Sequence, residues 1–133
     1  MTFKVKILVT ILVVVGFDAV GSLLSKLLQF NYTDLVWASL LIYVASGYWG
    51  ARRRGFTFGI LLGAIAGLVD STIGWFVSTW IKPFSRTGIP PISTELMLII
   101  LITVTVTGLI FGLVGAGLCT ILGQARPVDP NKS

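Results

Sequence analysis

Four stretches of apolar side chains, separated by short clusters of glycine, proline and charge, set the pattern of this chain. They run from Val5 to about Phe30, Leu35 to Ala51, Phe56 to Ile81 and Leu96 to Gly123. A membrane span needs roughly 20 mostly apolar residues, and these segments meet or approach that length. The second is short, yet Trp37 near one end and Tyr48 with Trp49 near the other are residue types that settle at the bilayer interface. Hydrocarbon offers no partner to an unpaired backbone group, so every span must be helical. That constraint overrides the β-branched run Ile102-Thr103-Val104-Thr105-Val106-Thr107, which in water would read as a strand.

The breaks between the stretches predict the connections. Gln29 to Asp34 and Arg52-Arg53-Arg54-Gly55 read as tight turns. Lys82 to Ser93 is longer and holds Pro83, Pro90 and Pro91, which stop a helix. Thr94 is expected to cap the last span, with Glu95 favourable in its first turn. The expected fold class is all-α: a polytopic membrane protein of four antiparallel transmembrane helices in a compact Gly-rich bundle. It forms a single membrane domain over residues 1–133, with residues 124–133 as a short polar cytoplasmic tail.

Composition narrows the class. The 133 residues are 55% hydrophobic and only 11% charged, with mean hydropathy +0.95, too little charge to coat a soluble core. The net charge of +5 is arranged by side rather than as a continuous basic face, so nucleic acid is not an expected partner. Lys4, Lys6, Arg52, Arg53, Arg54, Arg126 and Lys132 fall on one side, and Lys26, Lys82 and Arg86 on the other. The richer side should be cytoplasmic, which orients both termini inward in a plasma membrane of bacterial inner-membrane type. Arg52, Arg53 and Arg54 are read first as topology determinants and second as contacts to lipid head groups.

One competing reading takes Lys4 and Lys6, Ile7 to Val15, and Ala19-Val20-Gly21 as a cleaved signal peptide. The resumption of apolar residues at Leu23-Leu24 and Leu27-Leu28 favours an uncleaved span. Asn31-Tyr32-Thr33 matches a glycosylation acceptor but lies in a very short turn against the membrane, so chance is the preferred account.

Small residues recur at helical spacing. Gly59, Gly63, Gly67, Ser71 and Ser78 share one slowly drifting face of the third span, with Gly74 alongside. Thr105, Gly108, Gly112, Ala116 and Cys119 repeat the device in the fourth. Such faces let backbones approach closely. Packing of spans three and four within one chain is preferred to a homo-oligomer interface, although an oligomer remains compatible.

Asp18 and Asp70 are the candidate functional residues. At helical rise Asp18 lies about 18 Å beyond Lys6, and Asp70 about 22 Å beyond Gly55. Each costs about 3 kcal/mol to insert, which marks intramembrane acids as functional by default. Ser22, Ser25, Lys26 and Gln29 follow Asp18 at helical spacing and predict a polar stripe toward the outer surface. If the first and third spans are neighbours, the two carboxyls could share a proton or a small cation. The alternative is that each acid is interhelical glue, hydrogen-bonded to a neighbour.

The expected function is a small transporter or channel linked to protons or small cations, with the lipid bilayer as partner and the substrate unknown. The alternative is a non-catalytic accessory subunit docked through glycine faces. No cofactor, metal site or catalytic residue is expected: His is absent and Cys119 stands alone, a buried thiol in an apolar run. Gly16-Phe17-Asp18 and Leu68-Val69-Asp70 also lack the Tyr-Asp and Gly-x-Gly-Asp signatures of intramembrane aspartyl proteases.

Overall fold

The computed structural model describes residues 3–85 and 93–124, and every regular element among them is helical. Helix α1 covers Phe3–Leu28, a short 3₁₀ turn covers Tyr32–Leu35, and α2 covers Val36–Arg54. The third long helix comprises α3 (Phe56–Val69), a single wide π-helical turn at Asp70–Gly74, and α4 (Trp75–Ile81). Helix α5 covers Thr94–Ile121. Three helices are long and apolar enough to cross a membrane: Lys4–Leu28, Phe56–Ile81 and Thr94–Ile121. Helix α2, at 19 residues, ends in three arginines and is not one of them. Arg86, Pro90 and Pro91 in the last connection, and Arg126 with Lys132 in the tail, lie outside the described residues.

The helix ends differ from the sequence expectations by a few residues, each for a local reason. Arg52, Arg53 and Arg54 do not form a turn; they are the last turn of α2. Arginine is a good helix former, and its charge is favourable beside the exposed carbonyls of a helix C-terminus. Gly55 alone reverses the chain, at φ 95°, a conformation that side-chain-bearing residues rarely adopt. Helix α1 stops at Leu28 because Gln29 turns left-handed at φ 53°, which also takes Gln29 off the helix and leaves it exposed. The cap of α5 is Ser93 and not Thr94: the Ser93 hydroxyl accepts from the Leu96 N–H at 3.1 Å. Glu95 does sit in the first turn.

Helices α2, α3 and α5 pack against one another as a trio. Glycines stand at their crossings. A Cβ at Gly63 would fall 2.4 Å from Gly112 Cα, one at Gly47 2.2 Å from Gly112 O, and one at Gly67 2.5 Å from Val104 O. At Gly59 it would fall 2.4 Å from Gly47 O, and at Gly108 2.6 Å from Gly63 O. Leu62, Ala66, Ala51, Ala116 and Cys119 are wholly buried in the same trio. Two hydroxyls of α5 bond within their own helix, Thr107 donating to Thr103 O at 2.8 Å and Thr120 to Ala116 O at 3.0 Å, whereas Thr105 Oγ1 is buried without a partner among the described residues.

Helix α1 is attached differently. It lies along α3, the π turn and α4, and barely touches α2. At its basic end Lys6 is buried with its ammonium over the Phe58 ring, 5.6 Å from the centroid, and Arg54 stands 5.9 Å from the same ring.

Candidate functional site

The site begins with the wide turn in the third helix. Ser71 donates to Leu68 O at 3.0 Å, and Thr72 donates to Leu68 O at 2.6 Å. Hydroxyls that capture carbonyls three and four residues back compete with the helical ladder. Here the ladder widens, and the Trp75 N–H reaches back to the carbonyl of Asp70. Isolated π turns of this kind are frequent at functional sites.

Two consequences follow for the acids. Asp70 sits at the start of the wide turn, and Gly74 closes it against α1. The missing side chain of Gly74 is filled by Asp18: a Cβ there would lie 1.8 Å from Asp18 Oδ2 and 3.3 Å from Asp70 Oδ1. Gly74, expected among the helix-packing glycines, therefore serves as the floor on which the two carboxyls meet. Asp18 Oδ2 and Asp70 Oδ1 lie against the same position over Gly74.

Each acid also accepts from a tyrosine on its far side. Tyr32, in the 3₁₀ turn, donates to Asp18 Oδ1 at 3.2 Å. Tyr43, from the middle of α2, donates to Asp70 Oδ2. Behind Tyr32 the hydroxyls continue: Ser78 Oγ lies 2.9 Å from the Tyr32 oxygen, and Ser22 donates to Ser78 at 3.0 Å. Because Tyr32 spends its proton on Asp18, Ser78 donates to Tyr32, and the chain runs in one direction from Ser22 through Ser78 and Tyr32 to Asp18. Such chains polarise each member in turn.

One atom is left over. Asp18 is 2% exposed, and no described N–H or O–H reaches its Oδ2. The group beside it is another carboxyl, which can donate only if it carries a proton. An acid–acid contact in a buried site therefore needs a proton or a cation between the oxygens.

Burial pushes the Tyr32 phenol up from its ordinary range to about 12, with the Asp18 charge adding to the effect. The turn that carries Tyr32 is pinned. Its backbone N–H donates to Phe84 O at 3.2 Å, and Ser25 donates to Phe30 O at 2.7 Å and contacts Phe84 O at 3.3 Å. Ser22 and Ser25 are fully buried, so the polar side of α1 is turned inward and bonded. Lys26 donates to Ile81 O at 3.2 Å, and Gln29 stands apart from the site.

Beside the acids lies a partly open cavity of about 500 Å³ between the 3₁₀ turn, α2 and α5, with Tyr43, Asp70, Thr103 and Thr107 in its wall. A smaller one of about 110 Å³ shares Tyr32, Asp70 and Val104 with it. Asp70, half-buried, is the acid in the wall of both.

No family model matches this chain, and neither does any curated protein or solved structure.

The sequence pattern pointed to Asp18, Asp70 and the serines, and missed both tyrosines. Tyr43 carried a usable signal. A phenol in the middle of an apolar span needs a hydrogen-bond partner, and an acid in another span can supply it. Tyr32 carried none, since it follows a turn whose fold-back depends on Ser25 and Phe84. Arg52, Arg53 and Arg54 lie at the opposite end of α2 from its entry turn and are not part of the site. Among the described residues no three His, Cys, Asp or Glu side chains come together as a metal-binding group.

Proposed function

We propose that this chain is a small integral membrane protein that couples movement of a solute to protonation of the Asp18–Asp70 pair. One observation carries the reading: the two acids of α1 and of the long third helix meet on Gly74, with Asp18 Oδ2 lacking a donor. A pair that holds one proton between two oxygens can release it when a cation arrives and regain it when the cation leaves. The Ser22–Ser78–Tyr32 chain supplies hydroxyls through which a proton can be handed to Asp18. None of this makes or breaks a bond in a substrate, so the protein is not assigned an enzymatic activity, a cofactor or a nucleic-acid partner.

The membrane arrangement belongs to the same proposal. Helix α2 joins the three apolar helices as a shorter fourth span, set antiparallel through the Gly55 reversal, with glycine-packed crossings. Both termini are cytoplasmic, in a bacterial inner-membrane setting, because the Arg52–Arg54 end of α2 and the Lys4–Lys6 end of α1 share a side. The Phe58 ring, which faces both Lys6 and Arg54, supports that placement.

The rival reading, an accessory subunit that docks through its glycine faces, has less support. Gly47, Gly59, Gly63, Gly108 and Gly112 all meet other helices of the same chain and offer no free face to a partner or a second copy.

The test is proton-linked flux in proteoliposomes. Asp18→Asn and Asp70→Asn should each lower it by at least about tenfold, roughly 1.4 kcal/mol in the barrier, with assembly unchanged. Absence of flux in the unaltered protein, or full flux in both variants, would sink the reading.

A further inference from the structure

We propose that the solute is a small protonated amine with an apolar body, held in the cavity beside Asp70; the inference rests on the acid-pair reading and names its substrate class. A proton or a bare metal ion needs no room beyond the carboxyls, whereas about 500 Å³ lies in the range of sites for small organic ligands. Leu40 and Val104 give the wall its apolar surface, against which a hydrocarbon body packs. Asp70 supplies the only acid among the lining residues, and Asp18 stands directly behind it with an oxygen lacking a donor. Two hydroxyl oxygens of the wall are also available as acceptors beside that acid. Tyr43 spends its hydrogen on Asp70 and Thr107 spends its own on Thr103 O, so both oxygens present lone pairs. An ammonium with N–H groups satisfies these atoms together; an alcohol brings no charge, and a quaternary ammonium brings no N–H.

The exchange balances without any change in the amine. One ammonium enters beside Asp70 as the proton shared by Asp18 and Asp70 leaves to water, and the net charge of the site is unchanged. The titratable groups that face the pair are Tyr32 from the 3₁₀ turn and Tyr43 from α2; Lys26 of α1 is engaged at Ile81 O, and α5 contributes threonines and aliphatic residues.

The experiment is saturable binding of radiolabelled cyclohexylmethylamine to the purified full chain, with cyclohexylmethanol and the trimethylated quaternary ammonium as competitors. The amine is expected to bind, with both competitors at least about tenfold weaker. Asp70→Asn should lose about tenfold or more. Thr103 is exposed on α5, so Thr103→Trp should narrow the cavity and lower affinity without lowering the melting temperature. Binding should also release a proton in unbuffered solution. No saturable binding, equal competition by the alcohol or the quaternary ion, or unchanged affinity in both variants overturns the proposal. Flux without amine binding removes this site alone, whereas amine binding without proton-linked flux removes the transport reading and leaves the site standing.

Discussion

Gly74 and Asp18 occupy the same space in turn: the carboxyl of one fills the position that a side chain on the other would take, at 1.8 Å. A residue with a Cβ at 74 must push Asp18 away from Asp70. Overpacking of this kind costs about 1–3 kcal/mol, against a gain of about 1 kcal/mol for replacing glycine within a helix. The clash wins. Gly74→Ala should therefore lower thermal stability and reduce proton-linked flux together. A more stable, fully active variant would remove Gly74 from the site.

Tyr43 is 2% exposed and donates to Asp70 from α2. Tyr43→Phe keeps the ring and deletes only the donor. A hydrogen bond to a carboxylate is worth about 1.5–3 kcal/mol, so the variant should unfold at lower temperature by that measure. Tyr48→Phe, whose hydroxyl meets Gln124 in an exposed place, should change stability little. Equal losses in the two variants would show that Asp70 does not depend on Tyr43.

Tyr32 should titrate late. Its phenol is raised from about 10 to about 12, so the neutral form is favoured in the folded protein. A group raised on folding contributes stability that is present below its unfolded value and is lost as pH climbs to the folded one. Stability is therefore expected to fall between pH 10 and 12, and the fall should be smaller in Tyr32→Phe. Tyrosinate absorbance, compared between the two proteins, follows the titration directly. A Tyr32 component appearing near pH 10 would contradict its burial.

Gly63 and Gly112 place α3 and α5 backbone to backbone. The obstacle to Gly63→Ala is main chain, 2.4 Å away at Gly112 Cα, and no rotamer change relieves it. The helices must separate, at a cost of about 1–3 kcal/mol or more. Gly117→Ala, with nothing within 4 Å, provides the control and should be neutral or stabilising. Melting temperatures in detergent compare the pair.

Much of the architecture was legible because lipid leaves the backbone few choices. Apolar length alone marks the helices at Lys4–Leu28, Phe56–Ile81 and Thr94–Ile121. The helix ends were harder, since they depend on single residues such as Ser93 and Gly55 whose neighbours, Thr94 and the arginines, are equally credible in sequence. Asp18 and Asp70 stood out by chemistry, an acid in hydrocarbon being costly wherever it points. Their meeting did not: it needs the π turn, and the competition between Thr72 and the ladder at Leu68 has no distinct sequence mark. The serines looked like a path to water because helical spacing gives a face without saying what covers it. Tyr32 and Phe84 cover it here.

The single-residue elbow at Gly55 has a mechanical meaning. Gly55 alone links α2 to α3, and α5 packs against both, so the three helices are joined at every pairing. Helix α1 is held by lighter attachments along α3, the wide turn and α4. Asp18 on α1 and Asp70 on the third helix meet where α1 joins the trio, so the grip on whatever the two oxygens hold depends on how α1 is seated.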